Sequence, residues 1–298
     1  MSDEQARRVF RQLQALARAD YGGNTGALLV VYSVEGFLRR LAASEYASKM
    51  TLKGGMLMAA IATRRMTKDA DLSTRGVGNA EERVAAAVGD IIATELDLDD
   101  GLEFDAESIR TEVMREDAEY QGVRVKLIAR LATARMTTTL DFSFGDPHQS
   151  TVIELPELLG TGTIHLASYP PEMTLAEKVA TMMSRRELNT RDRDFADVWV
   201  LSRVRAFGAA ELRSAITRVA EHRNHEIIPL SVALENMPDR QTSYTAMLDR
   251  MAYQRLPPSS WTELLAEVRA FIEPLLTPQP EALGSWDPAT QSWTSPRE

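Results

Sequence analysis

Cysteine is absent from this chain of 298 residues, which excludes disulfides, thiolate zinc sites and a cysteine nucleophile. Aromatic residues make up only 6% of it, so a platform for stacking nucleic-acid bases is not indicated. The net charge of −9 argues against nonspecific binding along nucleic acid, and any RNA contact needs a local basic patch. No run of about 18 apolar residues suggests a membrane span, and the N-terminal sequence MSDEQARRVFRQL lacks an apolar signal-peptide core. We therefore expect a cytoplasmic protein that does not enter a membrane.

Hydrophobic residues supply 44% of the chain, enough for the core of one large domain or two ordinary ones. Helical spacing of apolar residues predicts early helices at about 4–19, 25–44, 56–64 and 80–97. Alternating apolar residues predict strands at 69–74, 120–130, 136–144 and 163–167. Later helices are predicted at 175–186, 192–205, 209–223, 243–253 and 261–276.

These patterns predict an α/β (α+β) protein with two lobes. The first, over residues 1–168, is expected to hold a mixed sheet with helices. The second, over residues 169–278, is expected to be mostly helical. Residues 279–298 carry several prolines and little apolar periodicity, so an extended tail is predicted there.

The strongest local signal is Gly54-Gly55, followed after thirteen residues by Asp69-Ala70-Asp71. Alternate residues of a strand point to the same face, so the two carboxylates are expected to lie side by side. Like charges at that distance repel unless a cation lies between them, and Mg²⁺ prefers carboxylate and phosphate oxygens. The glycine turn leaves backbone amides free to approach a triphosphate. The alternative is a solvated strand end with no ligand.

A third acid, Asp141, lies inside the otherwise apolar strand Thr139-Leu140-Asp141-Phe142. A buried carboxylate without a partner is costly, so this one needs a metal, a cation or a protein donor. A partly exposed strand position or a structural ion pair would satisfy the same requirement.

The last signal lies on two predicted helices, which carry Glu177-Lys178 and Arg193-Asp194-x-x-Asp197. Asp194 and Asp197 are three residues apart and share a helix face. Lys178 is a point charge suited to neutralising a triphosphate. A surface lysine and an ordinary charged helix remain the alternative.

In this order the blocks resemble the AbiEii-type nucleotidyltransferases, which include the MenT toxins of toxin–antitoxin pairs within the DNA polymerase β-like superfamily. The resemblance covers residues 53–201, about half of the chain. It implies that Asp69 and Asp71 bind the metal and that Asp141 is the third acid of the set. Gly54 and Gly55 would cradle the nucleotide, although many relatives have Gly-Ser there.

The resemblance also implies roles for residues of the later blocks. Lys178 would contact the triphosphate, with Arg191 or Arg193 nearby. Asp197 matches an acid that is essential in relatives and would orient Lys178, and Asp194 is the second acid of that block. Thr67 stands where relatives often carry Ser or Thr and is a candidate regulatory position beside the nucleotide.

A magnesium-dependent nucleotidyltransferase toxin is the function implied. It would transfer a nucleoside monophosphate from a nucleoside triphosphate to the 3′ end of tRNA and so block translation, and a cognate antitoxin would counteract it. Two alternatives stay open at this stage. The acceptor could be a protein or a small molecule, or the chain could be a catalytically silent binding module with the same fold.

Overall fold

The computed structural model of the protein describes residues 3–61, 67–116, 120–145, 150–160, 162–250, 257–277 and 283–296. It is a mixed α/β structure, as predicted, with a seven-stranded sheet and many helices. The described residues form two compact units. The first unit takes in those between 3 and 168 apart from Ile61, and the second takes in Ile61 and those from 169 on.

The first unit begins with two helices and ends with five consecutive strands. Its helices are α1 (Asp3–Asp20), α2 (Thr25–Ala43), α3 (Gly54–Ile61) and α4 (Glu81–Ile92). Its strands are β1 (Met50–Lys53), β2 (Asp69–Thr74), β3 (Leu102–Glu116), β4 (Tyr120–Leu131), β5 (Ala134–Phe144), β6 (Thr151–Pro156) and β7 (Thr163–Ser168). Residues 62–64, the end of the third predicted helix, lie outside the described residues.

The seven strands lie in the order β3-β4-β5-β2-β1-β7-β6. The pairs β2–β5 and β1–β7 are parallel, and the other pairs are antiparallel. Strand β4 shows why the sheet has a core face: Val123, Val125 and Leu127 are buried, whereas Arg124 and Lys126 between them are not. Helix α2 packs on the sheet, and Arg124 and Lys126 lie on the face of β4 opposite to its buried side chains.

Helix α2 carries a cluster of paired charges. Arg39 donates hydrogen bonds to Glu35, Asp100 and Glu157 at 2.6, 3.1 and 2.8 Å. Arg40 forms a second ion pair with Asp100, at 2.8 Å. Asp100 precedes β3 and Glu157 follows β6, so the cluster ties the helix to both edges of the sheet.

The second unit is mostly helical. Its helices are α5 (Pro171–Arg185), α6 (Asp192–Val204), α7 (Ala209–His222), α8 (Leu230–Ala233), α9 (Gln241–Arg250) and α10 (Trp261–Leu276), with a 3-10 turn at Arg186–Leu188. Three short strands, β8 (Phe207–Gly208), β9 (Ser285–Asp287) and β10 (Ser292–Trp293), form an antiparallel sheet. Residues 251–253 of a predicted helix lie outside the described residues. No helix in the described part of the chain is long and apolar enough to cross a membrane.

The end of the chain corrects the extended tail that the sequence predicts for residues 279–298. Residues 283–296 fold back as the hairpin β9–β10, and 279–282 and 297–298 lie outside the described residues. Trp286 is buried, and its Nε1 donates to the carbonyl of Ser202 at 2.7 Å. Trp293 stacks on Phe271 and donates to its carbonyl at 2.9 Å. Two large indoles anchor the segment without the periodicity on which the prediction relied.

Candidate active site

Four charged side chains form a row across the polar face of the sheet in the first unit. Lys53 on β1 is opposite Asp71 on β2, and Asp71 is opposite Asp141 on β5. Asp141 is in turn opposite Arg124 on β4. Residues directly opposite each other in neighbouring strands point to the same face. The row therefore runs from cation through two acids to cation, and Asp69, two residues before Asp71, lies on the same face.

The two glycines that begin α3 make room for the Asp71 carboxylate. A Cβ placed on Gly54 would lie 1.8 Å from Oδ2 of Asp71, and Gly54 has a positive φ of +65°. The backbone N–H of Gly55 points to the same oxygen at 3.4 Å, a long hydrogen bond. Gly54 is thus required both for its backbone conformation and for the close approach of the acid. The expected nucleotide contact of these glycines stays a prediction.

Asp71 is poorly compensated in this environment. Burial raises its pKa to about 7, and the charges of Asp69 and Asp141 act in the same direction. Lys53 and the N–H of Gly55 lower the pKa, but by less. A divalent cation at the Asp69–Asp71 pair would supply the charge that the protein does not.

Asp141 already has a cation of its own. Arg124 donates from Nε to Oδ1 and from Nη2 to Oδ2, both at 2.7 Å, which is the bidentate geometry of a strong ion pair. These hydrogen bonds to Asp141 hold the pKa of Arg124 above its ordinary value. Sequence reasoning missed Arg124, because only the register of β4 against β5 brings it to the acid.

The donor set fits a divalent cation only in part. Asp69 and Asp71 offer neighbouring oxygens on one strand, and their repulsion is relieved by a cation. Within the described residues, however, no three acidic, histidine or cysteine side chains are grouped closely enough to hold a metal. Asp141 was expected to be the third ligand, and here both of its oxygens accept hydrogen bonds from Arg124.

Thr67 precedes the acid pair and is buried, with 2% of its surface exposed. Its hydroxyl finds no hydrogen-bond partner among the residues that the structure describes. A modifying enzyme cannot reach a hydroxyl buried to this degree without local opening. In this conformation Thr67 is therefore closed to a modifying enzyme, and its regulatory and nucleotide roles stay predictions.

The second unit holds the other predicted site residues. Nζ of Lys178 on α5 donates to Asp194 at 2.7 Å and to Asp197 at 2.9 Å, both on α6. The side chain of Asp197 is fully buried, and those of Lys178 and Asp194 are nearly so. Asp194 and Asp197 share a face of α6, as their spacing predicts, and together they fix the position of the ammonium group.

The start of α6 separates exposed from buried charges. Arg191 is exposed, and its backbone N–H donates to Oδ1 of Asn189 at 2.9 Å. The neighbouring Asp192 is buried in an ion pair with Arg240 and accepts a hydrogen bond from Ser243 at 2.7 Å. Asp192 therefore stabilises the fold, whereas Arg191 is exposed to solvent.

Comparison with known proteins places the chain in a family. A family model described as nucleotidyl transferase AbiEii toxin, type IV toxin–antitoxin system, matches residues 36–267. Two solved structures from Helicobacter pylori, JHP933 and a candidate nucleotidyltransferase, share 16% and 17% identity with the chain. Each of them aligns with 72% of this chain, and the alignments take in 85% and 88% of their own lengths, respectively. Both TM-scores are 0.41, which is too low to support a conclusion. No curated protein sequence matches. Since the family model matches more than half of the chain and includes both groups of site residues, the chain belongs to the AbiEii nucleotidyltransferase toxins of type IV toxin–antitoxin systems.

Proposed function

We propose that the chain transfers a nucleoside monophosphate from a nucleoside triphosphate to the 3′ end of tRNA, in a magnesium-dependent reaction in the cytoplasm. A tRNA extended in this way cannot be aminoacylated, so translation stops until a cognate antitoxin counteracts the toxin. The observation that carries the proposal is the Asp69–Asp71 pair beside Asp141, where burial and the neighbouring acids raise the pKa of Asp71 to about 7. Membership in the AbiEii family supports the reaction class.

Nucleotidyl transfer forms a bond between an acceptor oxygen and the α-phosphorus, and pyrophosphate leaves with the electron pair of the broken bond. Asp69 and Asp71 would hold the magnesium. When bound, Mg²⁺ neutralises phosphate charge and lowers the pKa of the attacking hydroxyl. Asp141, once it is released from Arg124, would complete the acid set or accept the proton of that hydroxyl.

We assign to Lys178 and the exposed Arg191 the role of neutralising the negative charge of the triphosphate. Asp197 would keep the ammonium group in place, through the 2.9 Å hydrogen bond that joins them. Asp194 holds the same group from one helical turn away. Gly54 and Gly55 lie against Asp71 in space, and Thr67 lies two residues before Asp69 in sequence. All three are assigned to the nucleotide.

The choice of tRNA as acceptor rests on the resemblance to the family, and the experiment must therefore identify the acceptor as well as the reaction. The purified protein is incubated with total tRNA, Mg²⁺ and each α-labelled nucleoside triphosphate in turn. Asp69→Asn removes one carboxylate of the pair. Asp97→Asn is the matched control, because Asp97 is an exposed acid between α4 and β3.

We expect label in tRNA with the wild type and Asp97→Asn but not with Asp69→Asn, and no label when the metal is chelated. Full activity of Asp69→Asn would contradict the site. Label in a protein or a small molecule, but not in tRNA, would show that the reaction is correct and that the proposed acceptor is wrong. Absence of label from every acceptor, with a protein that binds no nucleotide, would favour a silent binding module.

A further inference from the structure

The polar face of the sheet contains a cation that the sequence did not reveal. Arg124 uses two nitrogens to bind both oxygens of Asp141, each at 2.7 Å. The Asp141 side chain is 11% exposed and that of Arg124 is 35% exposed. The acid is therefore enclosed, and its partner lies at the edge of the solvent.

A bidentate guanidinium competes directly with a metal ion for a carboxylate. Both bind the same oxygen lone pairs, and both are attracted by the negative charge of neighbouring acids. Asp69 also attracts Arg124 electrostatically, although their strands are not adjacent. The acid face of the first unit thus carries an internal cation beside the Asp69–Asp71 pair.

We propose that Arg124 is a positioning residue that holds Asp141 out of the metal-binding set, so that the free protein binds a divalent ion through Asp69 and Asp71 alone. Asp141 becomes available as a ligand only when Arg124 leaves it. The inference rests on the proposed function, because it assumes that the acid pair binds metal. In the free protein, the ion pair between Arg124 and Asp141 reduces the repulsion among the three carboxylates on this face. We call the replacement of Arg124 by a metal ion at Asp141 the exchange.

Lys126 offers a matched control on the same strand and the same face. It lies two residues from Arg124, opposite Thr139 rather than an acid. Its side chain is 51% exposed, and its only described ion pair is a loose one with Glu112 at 3.7 Å. Removal of Lys126 changes the net charge of this face by the same amount as removal of Arg124, without freeing Asp141.

The exchange is tested by measuring how Mn²⁺ binds to the protein in the absence of nucleotide. Binding is measured by calorimetry and by the loss of the paramagnetic resonance signal of the free ion. The variants are Arg124→Gln, Lys126→Gln, Asp141→Asn and the double variant Arg124→Gln/Asp141→Asn. We expect Arg124→Gln to bind Mn²⁺ about tenfold more tightly or to take up a second ion, because it frees a carboxylate. Lys126→Gln should change the affinity by less than about threefold, since the charge it removes is exposed. Asp141→Asn should match the wild type, and the double variant should return to wild-type binding.

Each other result contradicts a specific part of the inference. Equal gains for Arg124→Gln and Lys126→Gln would show a general charge effect. A gain that persists in the double variant would show that Asp141 is not the new ligand. Weaker binding in Asp141→Asn would show that Asp141 is already a ligand of the free protein.

Two further measurements keep the test decisive. If Arg124→Gln does not fold, Arg124→Lys keeps the charge without the bidentate geometry and should give an intermediate gain. Asp69→Asn in the wild-type background tests the proposed function separately. If Mn²⁺ binds equally well to Asp69→Asn, or does not bind to the wild type, the metal site itself is wrong and the inference fails with it. If Asp69→Asn loses the ion while Arg124→Gln behaves as the wild type, only the inference fails.

Discussion

The two units differ in how far the charges of their buried acids are neutralised by nearby cations. In the second unit, one lysine lies between Asp194 and the fully buried Asp197, and both carboxylates accept its hydrogen bonds. In the first unit, Asp71 faces two further acids, and the nearby cation Arg124 is bound to Asp141. Burial, together with these acids, raises the pKa of Asp71 to about 7.

This difference separates two uses of charge in one protein. Acids that the protein neutralises by itself orient a neighbour and stabilise the fold. Acids left to repel each other lower stability, and such an arrangement is typical of a site that a ligand completes. Substitutions in the two groups should therefore change the stability of the protein in opposite directions.

The largest effect is expected from Lys178→Met. It leaves the buried Asp197 and the nearly buried Asp194 without their shared cation, so the free energy of unfolding should fall by about 3–5 kcal/mol. All four tryptophans lie in the second unit, so their fluorescence during denaturant unfolding reports on the affected region. Lys126→Met, at an exposed position of the first unit, should cost less than about 1 kcal/mol when unfolding is followed by circular dichroism, which reports on both units. A loss of under 1 kcal/mol for Lys178→Met would show that the second group is not compensated as described.

Gly54→Ala should have the next largest effect. The added Cβ would collide with the Asp71 carboxylate, and the alanine would have to adopt a left-handed backbone conformation. We expect the free energy of unfolding to fall by about 2–4 kcal/mol. Gly76→Ala isolates the backbone contribution, because Gly76 has a similar φ of +69° with nothing within 4 Å of its Cβ position. That control should lose about 1 kcal/mol. Both variants are measured by denaturant unfolding followed by circular dichroism, because the tryptophans lie in the second unit. Equal losses would mean that Asp71 can move away, and the close seating of the acid would then not constrain the site.

Much of the fold was predictable because its elements follow simple patterns of burial. The strands β2, β4, β5 and β7 and the long helices α1, α2 and α10 lie within a few residues of their predicted bounds. Strand β3 was missed, although it is 15 residues long. It is an edge strand in which acidic residues interrupt the apolar alternation, so its pattern is weak.

The site was predictable only where its geometry is local. The shared face of Asp69 and Asp71 follows from the period of a strand, and that of Asp194 and Asp197 from the period of a helix. The contact of Arg124 with Asp141 depends on how two strands align, and a single sequence does not encode that register in any readable pattern. The pairing of Asp71 with Asp141 is harder still to foresee, because β2 and β5 are adjacent in the sheet but distant in the chain.

Asp71→Asn should raise stability, the opposite of the effect at Lys178. The folded-state pKa of about 7 lies above that of an unfolded aspartate, so the wild type loses stability as pH rises from about 4 to about 7. Asparagine does not titrate, so the advantage of the variant should be absent near pH 4 and complete above pH 7. We expect a gain of about 1–3 kcal/mol at pH 8 with a chelator present, measured by denaturant unfolding. Asp97→Asn, at an exposed acid, is the control for the loss of one carboxylate. Destabilisation by Asp71→Asn at pH 8 would refute the contrast between the two groups.

The smallest expected effect is that of Thr67→Val, which separates a ligand contact from a structural one. The buried hydroxyl has no hydrogen-bond partner in the described part of the chain, so an isosteric apolar side chain should raise stability by less than about 1 kcal/mol. If the hydroxyl instead binds the nucleotide, its removal should lower the nucleotide affinity by about three- to tenfold. Thr67→Ser, which keeps the hydroxyl, should retain that affinity while it loses some packing. Unchanged affinity in Thr67→Val would remove Thr67 from the proposed nucleotide contacts, and a loss of stability would show that its hydroxyl has a partner within the protein.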